Sequence, residues 1–189
     1  MKDRITAVIR ESIQVKEAAL ASNVDALEKV ALAIIKAFKN NNRVFFCGNG
    51  GSAADSQHIA AEFIGRFQKE RRALPAIALT TDTSILTCLS NDYSFDIVFA
   101  RQIEALGRAG DVVVGISTSG KSPNVIKAFD AAKKIGMTTV AFTGNDGGAM
   151  AKAADIAIVV PSRVTARVQE SHIVLFHAIC EVVESEFAR

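Results

Sequence analysis

The sequence predicts an α/β protein, a three-layer α/β/α sandwich with a five-stranded parallel sheet. Short β-branched runs alternate with helical patterns from residue 43 onward. The strand-like runs lack alternating polarity, which is typical of strands covered by helices on both faces. Because parallel strands are joined by right-handed helical crossovers, this alternation predicts one sheet between two helical layers.

The elements follow one another in a regular order. Residues 5–40 carry apolar side chains at helical spacing and predict two N-terminal helices, with Asn23 as the cap between them. The predicted strands are Val44–Cys47, Ala76–Thr80, Asp111–Ser117, Thr138–Phe142 and Ile156–Val160. The predicted helices after them are Ser52–Phe67, Phe95–Leu106, Asn124–Ile135, Gly148–Ala153 and a long C-terminal helix, Thr165–Phe187. No linker or repeat interrupts the chain, so we expect a single domain over 1–189, with a helical extension over 1–42 and a core over 43–189.

Composition excludes several function classes. Hydrophobic residues make up 49% and charged residues 22% of the 189, with a net charge of +2, so the sequence predicts no nucleic-acid-binding face. No apolar run approaches the roughly 20 residues of a membrane span, and the charged N-terminus does not resemble a signal peptide. Cys47, Cys88 and Cys180 lie far apart and predict free thiols in a cytoplasmic protein without a membrane partner.

A serine-rich loop, Ser117–Pro123, follows an apolar strand and precedes an amphipathic helix. Ser122 is a candidate N-cap and Pro123 suits the first helical position. Free backbone N–H groups, the positive end of the helix dipole and the hydroxyls together predict a phosphate cradle. The alternative is a capped turn without a ligand.

Two further polar loops leave predicted strands at the same edge, 48–52 and 80–84. The first of them, Gly48-Asn49-Gly50-Gly51-Ser52, fits a dinucleotide-binding fingerprint only in part. Ala53 occupies the third glycine position, and the acidic residue expected about 20 residues later is absent. We therefore expect close contact with a small ligand and no nucleotide cofactor.

Two predicted helices carry candidate chemical groups. His58 and Glu62 stand four residues apart on one helical face, as a metal-binding pair, an acid/base pair or a surface hydrogen bond. Gln169 and His177 stand eight apart on the last helix, so both can face one cleft. His172 is nearly as good a candidate as His177 by position, and periodicity does not separate the two.

These residues resemble the sugar-isomerase (SIS) domain family. The motifs that carry the resemblance are Cys47–Asp55, Gln57-His58, Glu62 and Gly115–Gly120, with Pro75–Thr83, Asn91–Tyr93, Ala105–Arg108 and Ala166–Glu170. Within the family the sequence is most similar to enzymes that interconvert sedoheptulose 7-phosphate and D-glycero-D-manno-heptose 7-phosphate. The resemblance implies a flavodoxin-like sheet and an aldose–ketose isomerase acting through an enediol in nucleotide-activated heptose synthesis.

The resemblance also implies roles for individual residues. Glu62 and His177 would be the catalytic acid/base pair, and His172 would be structural. A zinc ion, one per subunit, would be held by His58, Glu62, Gln169 and His177. The phosphate would bind Ser117, Thr118, Ser119 and Ser122, and the sugar site would include Asn49, Gly50, Gly51, Asn91, Asp92, Glu62 and Gln169.

The family further implies a homotetramer with active sites at subunit interfaces. The alternative within it is a non-catalytic SIS protein that binds DnaA or a sugar phosphate. Such a DnaA-binding protein lacks the residues matching Glu62 and His177, which this sequence has. That difference favours the enzyme.

Overall fold

The computed structural model describes residues 1–188 and confirms the three-layer α/β fold. The strands are β1 (Val44–Gly48), β2 (Ala76–Ala78), β3 (Val112–Ser117), β4 (Thr138–Gly144) and β5 (Ile156–Val160). The helices are α1 (Lys2–Lys39), α2 (Gly51–Ile64), α3 (Thr83–Asp92), α4 (Val98–Leu106), α5 (Pro123–Ile135), α6 (Gly148–Ala153) and α7 (Thr165–Ser185). All strand pairs are parallel, in the order β2-β1-β3-β4-β5.

Successive residues of each central strand serve opposite faces of the sheet. On β1, Val44 and Phe46 pack into a core with α1, α2 and α7, while Phe45 and Cys47 pack into a second core with α4, α5 and α6. Both cores exclude water, so every residue of β1 and β3 is buried. This explains why the sequence shows apolar runs without alternation.

The expectation of two N-terminal helices is wrong, because α1 runs without a break from Lys2 to Lys39. Asn23 does not cap a helix. Its side-chain amide donates to Val159 O at 3.1 Å, and its oxygen accepts from Val159 N at 2.9 Å. Because β5 lies at the edge of the sheet, this side chain satisfies backbone groups that have no neighbouring strand.

Helix α3 was not predicted, and it covers the polar segment after β2. Asp82 caps it by accepting from Ile85 N at 2.9 Å, and none of its residues is fully buried. A helix without a buried face needs no strong apolar periodicity in its sequence, which is why the sequence did not predict α3. The next predicted helix also starts later, because Phe95–Ile97 forms a 3-10 turn before α4.

The register of the central strands places two predicted ligand loops side by side. Gly48 at the end of β1 is opposite Ile116 near the end of β3, so the loops after these strands leave the same edge together. Across residues 1–188, no helix combines the length and the apolar character that crossing a bilayer requires.

Candidate active site

A cavity of about 260 Å³ lies between the loops that follow β1 and β3, at the carboxyl edge of the sheet. Its lining residues are Asn49, Gly51, Ser52, Ile116, Ser117, Thr118, Ser119, Ser122, Thr165 and Gln169. Seven of these ten residues were assigned to the sugar or phosphate site in the sequence analysis, namely Asn49, Gly51, Ser117, Thr118, Ser119, Ser122 and Gln169. Thr165, the first residue of α7, was not predicted.

The serine hydroxyls of this cavity are linked to one another. Ser117 Oγ lies 2.9 Å from Ser122 Oγ and 3.3 Å from Ser119 Oγ. Ser122 is the N-cap residue of α5, and Pro123 occupies the first turn as predicted, but the Ser122 side chain makes no capping hydrogen bond. Its hydroxyl belongs to the cavity cluster instead, so it is available to a ligand at the start of the helix.

Asn49 is held by a partner that the sequence did not reveal. Its side-chain amide donates to Asn124 Oδ1 at 3.0 Å, and Asn124 donates back to Asn49 Oδ1 at 2.9 Å. Asn124 also accepts from Val125 N at 3.0 Å. This pair joins the starts of α2 and α5, so it fixes the two loops relative to each other.

The start of α2 depends on two glycines. Gly50 precedes the helix with a φ of 57°, a left-handed conformation that suits glycine. Gly51 lies directly under the amide of Gln169 from α7, and a Cβ at that position would overlap the Gln169 side chain. The glycine pair thus lets α7 approach the loop closely.

Three of the predicted metal ligands come together further along α2 and α7. His58 Nε2 lies 3.0 Å from His177 Nε2 and 3.6 Å from Glu62 Oε1, and one ligand atom from each residue lies within 4.8 Å of the others. Ligands at about 2.0–2.1 Å from a tetrahedral zinc ion stand about 3.4 Å apart, so two imidazoles and a carboxylate at these distances fit Zn²⁺. We call His58, Glu62 and His177 the His/Glu cluster.

The remaining predicted residues lie apart from this cluster. The amide of Gln169 is over Gly51, at the serine cavity, and His177 is eight residues or about 12 Å further along α7. Asn91 and Asp92 end α3, are exposed, and bond to each other at 2.9 Å. Neither is among the residues that line the cavity of their own chain.

The structure separates the two histidines that periodicity left equivalent. His172 is completely buried, and its Nε2 lies 3.0 Å from the Thr143 carbonyl oxygen. Burial lowers the pKa of His172 to about 4, partly offset by that hydrogen bond, so its ring is neutral at pH 7. His177 instead lies in the His/Glu cluster, next to the ring of Phe67 at 5.2 Å between centroids.

Electrostatics near His58 involve one more residue of α2. Asp55 lies one turn earlier and is half-buried. Burial raises the pKa of its carboxyl, and the positive charge of a protonated His58 lowers it in part. Asp55 is the last residue of the Cys47–Asp55 motif, but the sequence gave it no role.

The parallel sheet, the hydroxyl-lined cavity and the His/Glu cluster match one class of protein. A family model described as the SIS domain matches residues 9–144, more than half of the chain. A phosphoheptose isomerase from Aquifex aeolicus is 54% identical over 184 residues, which is 97% of this chain and 96% of that one. One from Clostridium acetobutylicum is 50% identical over 188 residues, covering 98% and 96%.

A solved structure supports the same assignment. Phosphoheptose isomerase from Neisseria gonorrhoeae superposes with a TM-score of 0.91 at 47% identity, covering 97% of this chain and 98% of that one. The chain therefore belongs to the SIS domain family and, within it, to the phosphoheptose isomerases.

Proposed function

We propose that this chain converts D-sedoheptulose 7-phosphate to D-glycero-D-manno-heptose 7-phosphate through an enediol. The observation that carries the proposal is that one helix, α7, serves both the serine cavity and the His/Glu cluster. A heptose 7-phosphate has its phosphate at one end and the reacting C1 and C2 at the other. The cavity would hold the phosphate while the cluster acts on the sugar.

Aldose–ketose isomerisation moves one proton between C1 and C2 and another between their oxygens. Glu62 and His177 are the proton-transfer groups in this proposal, because both offer a basic atom at the same point between α2 and α7. The hydroxyls of the serine loop orient the substrate, and binding energy from the distant phosphate then lowers the barrier at carbon.

The assay uses purified protein incubated with sedoheptulose 7-phosphate, with the aldose phosphate measured over time. We expect conversion by the wild-type protein. A wild-type preparation that binds the ketose phosphate without converting it would overturn the proposal in favour of the non-catalytic SIS alternative. In the proposed function, the heptose 7-phosphate product feeds nucleotide-activated heptose synthesis, which supplies lipopolysaccharide and other surface glycans.

We further propose one Zn²⁺ per subunit, held by His58, Glu62 and His177. The amide of Gln169, the fourth expected ligand, lies over Gly51 at the serine cavity, so the fourth position on the ion is left to another ligand. When bound, this ion supplies a Lewis acid that polarises the carbonyl oxygen. Metal analysis should give about one zinc per chain. Chelation should abolish turnover and zinc add-back should restore it, whereas full activity in metal-free protein would contradict the proposal.

We also propose a homotetramer with active sites at subunit interfaces. Support comes from an apolar surface along α1 and α7, where Leu20, Val24 and Leu32 are 57%, 53% and 58% exposed. Grooves of about 490 and 320 Å³ run between these helices. Large exposed apolar patches are typical of interaction sites. In such an assembly Asn91 and Asp92 would serve the cavity of a neighbouring subunit.

Light scattering tests the assembly directly. Wild-type protein should give the mass of four chains, and a Leu20→Glu/Leu32→Glu variant should give a smaller species. A wild-type monomer would overturn the proposal.

The continuous core between α1 and the sheet supports a single SIS domain over 1–189. The free thiols Cys47, Cys88 and Cys180 support a cytoplasmic location.

A further inference from the structure

A buried carboxylate organises the loop that follows α2. Glu184 of α7 is only 1% exposed. Its oxygens accept backbone N–H groups from Phe67 at 2.8 Å, Gln68 at 2.7 Å and Lys69 at 2.8 Å. Burial alone raises the pKa of Glu184, but the three N–H donors and the nearby Arg71 outweigh it and hold the pKa below its ordinary value. The side chain is therefore ionised at neutral pH.

Arg71 completes the buried ion pair and reaches α2 from the other side. Its Nε lies 3.4 Å from Glu184 Oε1, and the Arg71 side chain is fully buried. Its guanidinium donates to the carbonyl oxygens of Glu62 at 2.7 Å, Phe63 at 2.8 Å and Gly65 at 2.9 Å. Glu62 and Phe63 belong to the last turn of α2, whose carbonyl groups have no hydrogen-bond partners within the helix, and Gly65 directly follows it.

The same loop carries the aromatic ring that contacts the His/Glu cluster. Phe67, whose N–H is bound by Glu184, places its ring 5.2 Å from that of His177 at an angle of 35°. His177 and Glu184 are seven residues apart on α7, so they lie on the same face of that helix. Glu184 thus holds the residue that packs against His177, and Arg71 holds the backbone of Glu62.

We propose that Arg71, Glu184 and Phe67 are positioning residues that fix Glu62 and His177 relative to each other. None of them contacts the serine cavity. The inference rests on the proposed function, because positioning has a kinetic effect only if Glu62 and His177 perform the reaction. Loss of the positioning residues should lower kcat, with little change in KM, because phosphate binding occurs elsewhere.

Two variants and a matched control test this. Glu184→Gln removes the charge and places an amide against backbone donors, and Phe67→Leu removes only the ring. The control is Asp111→Asn, since Asp111 is also buried and accepts N–H groups from Arg43 and Arg108 at 2.8 Å, at the opposite edge of the sheet. We expect kcat to fall about 10- to 100-fold in the first two variants and to stay near wild type in the control. A kcat unchanged in folded Phe67→Leu would overturn the proposal.

A spectroscopic readout separates positioning from turnover. The chain has three histidines, so ring-labelled protein gives three imidazole signals that single His→Gln variants assign. Glu184→Gln keeps the Phe67 ring but weakens the contact that holds it, so it should shift the His177 signals through movement of that neighbouring ring and leave those of His172 in place. This result does not require activity. If the variant shifts the His177 signals while the wild-type protein does not isomerise the heptose phosphate, the positioning is supported and the proposed function is rejected. Unshifted His177 signals would reject the positioning but not the proposed function. If Glu184→Gln does not fold, the kcat of Phe67→Leu still tests the positioning.

Discussion

The two ends of the candidate site are built in different ways. The serine cavity is formed by loops at the sheet edge, where the hydroxyls of Ser117 and Ser122 are 2.9 Å apart and Asn49 and Asn124 bond reciprocally. The His/Glu cluster is formed by side chains of two packed helices. His58 remains 47% exposed there, and Glu62 is 22% exposed.

The difference follows from what each end has to do. Binding a phosphate requires several hydrogen-bond donors at fixed positions, and the backbone N–H groups at strand ends and helix starts supply them. Proton transfer needs a few side chains with freedom to exchange protons. Variants at the two ends should therefore affect different kinetic constants.

The largest expected effect is at the cluster. Glu62→Gln keeps the volume of the side chain and removes its basic carboxylate. General acid–base groups contribute about 10²- to 10⁴-fold, so we expect kcat to fall by about 10³ while KM stays close to wild type. Steady-state kinetics with the heptose phosphate measure both.

Glu181→Gln is the matched control for this variant. Glu181 is exposed on α7, one turn beyond His177, and should tolerate the change. Near-normal turnover by Glu62→Gln would remove Glu62 from the chemistry. Equal losses in both variants would point to a general effect of charge on this face.

Ser122→Ala tests the other end and should have a smaller effect. A hydrogen bond to a charged group contributes about 1.5–3 kcal/mol, so KM should rise about 10- to 100-fold, more than kcat falls. The control is Ser185→Ala, whose hydroxyl donates to the Glu181 carbonyl in its own helix and accepts from the Lys69 ammonium at 3.2 Å. Ser185 is not among the residues that line the serine cavity. A loss confined to kcat would mean that the loop does not hold the phosphate.

Gly51→Ala examines the point where α7 meets the cavity, and we expect a few-fold loss of kcat/KM. The added Cβ would displace the Gln169 amide, although alanine suits a helix and should not weaken α2. Gly65→Ala, after the end of α2, is the control. Unchanged kinetics with Gly51→Ala would argue that Gln169 does not contact the substrate where it now lies.

The sequence pointed to the loops and helical faces of the candidate site more readily than to the contacts that hold them, for a physical reason. The Ser117–Pro123 loop is a local signal, since a strand, hydroxyls and a helix start follow one another in the chain. Asn124, Phe67 and Glu184 act through partners far away in sequence, which no periodicity reveals. The break expected at Asn23 failed for the same reason, because its partner is Val159 on the sheet edge.

The smallest effect at neutral pH concerns His172, which lies on α7 between Gln169 and His177. Its Nε2 must carry the proton to donate to the Thr143 carbonyl, so Nδ1 is the basic atom. Nδ1 is buried and has no hydrogen-bond partner among residues 1–188. Protonation would therefore create a buried donor without an acceptor, which agrees with a pKa of about 4 in the folded state.

The sign of the pH dependence follows from this shift. Unfolded histidine has a pKa of about 6.5, so between about pH 6.5 and pH 4 His172 binds a proton in the unfolded chain and stays neutral in the folded chain. The free energy of unfolding should thus fall as the pH drops through this window, by up to about 1.4 kcal/mol per pH unit from this residue. Urea unfolding at fixed protein concentration measures it. His172→Gln can still donate to Thr143 and cannot titrate, so its slope should be shallower by that amount. Equal slopes would mean that the folded and unfolded chains bind the His172 proton equally well, so that burial does not lower the pKa of His172.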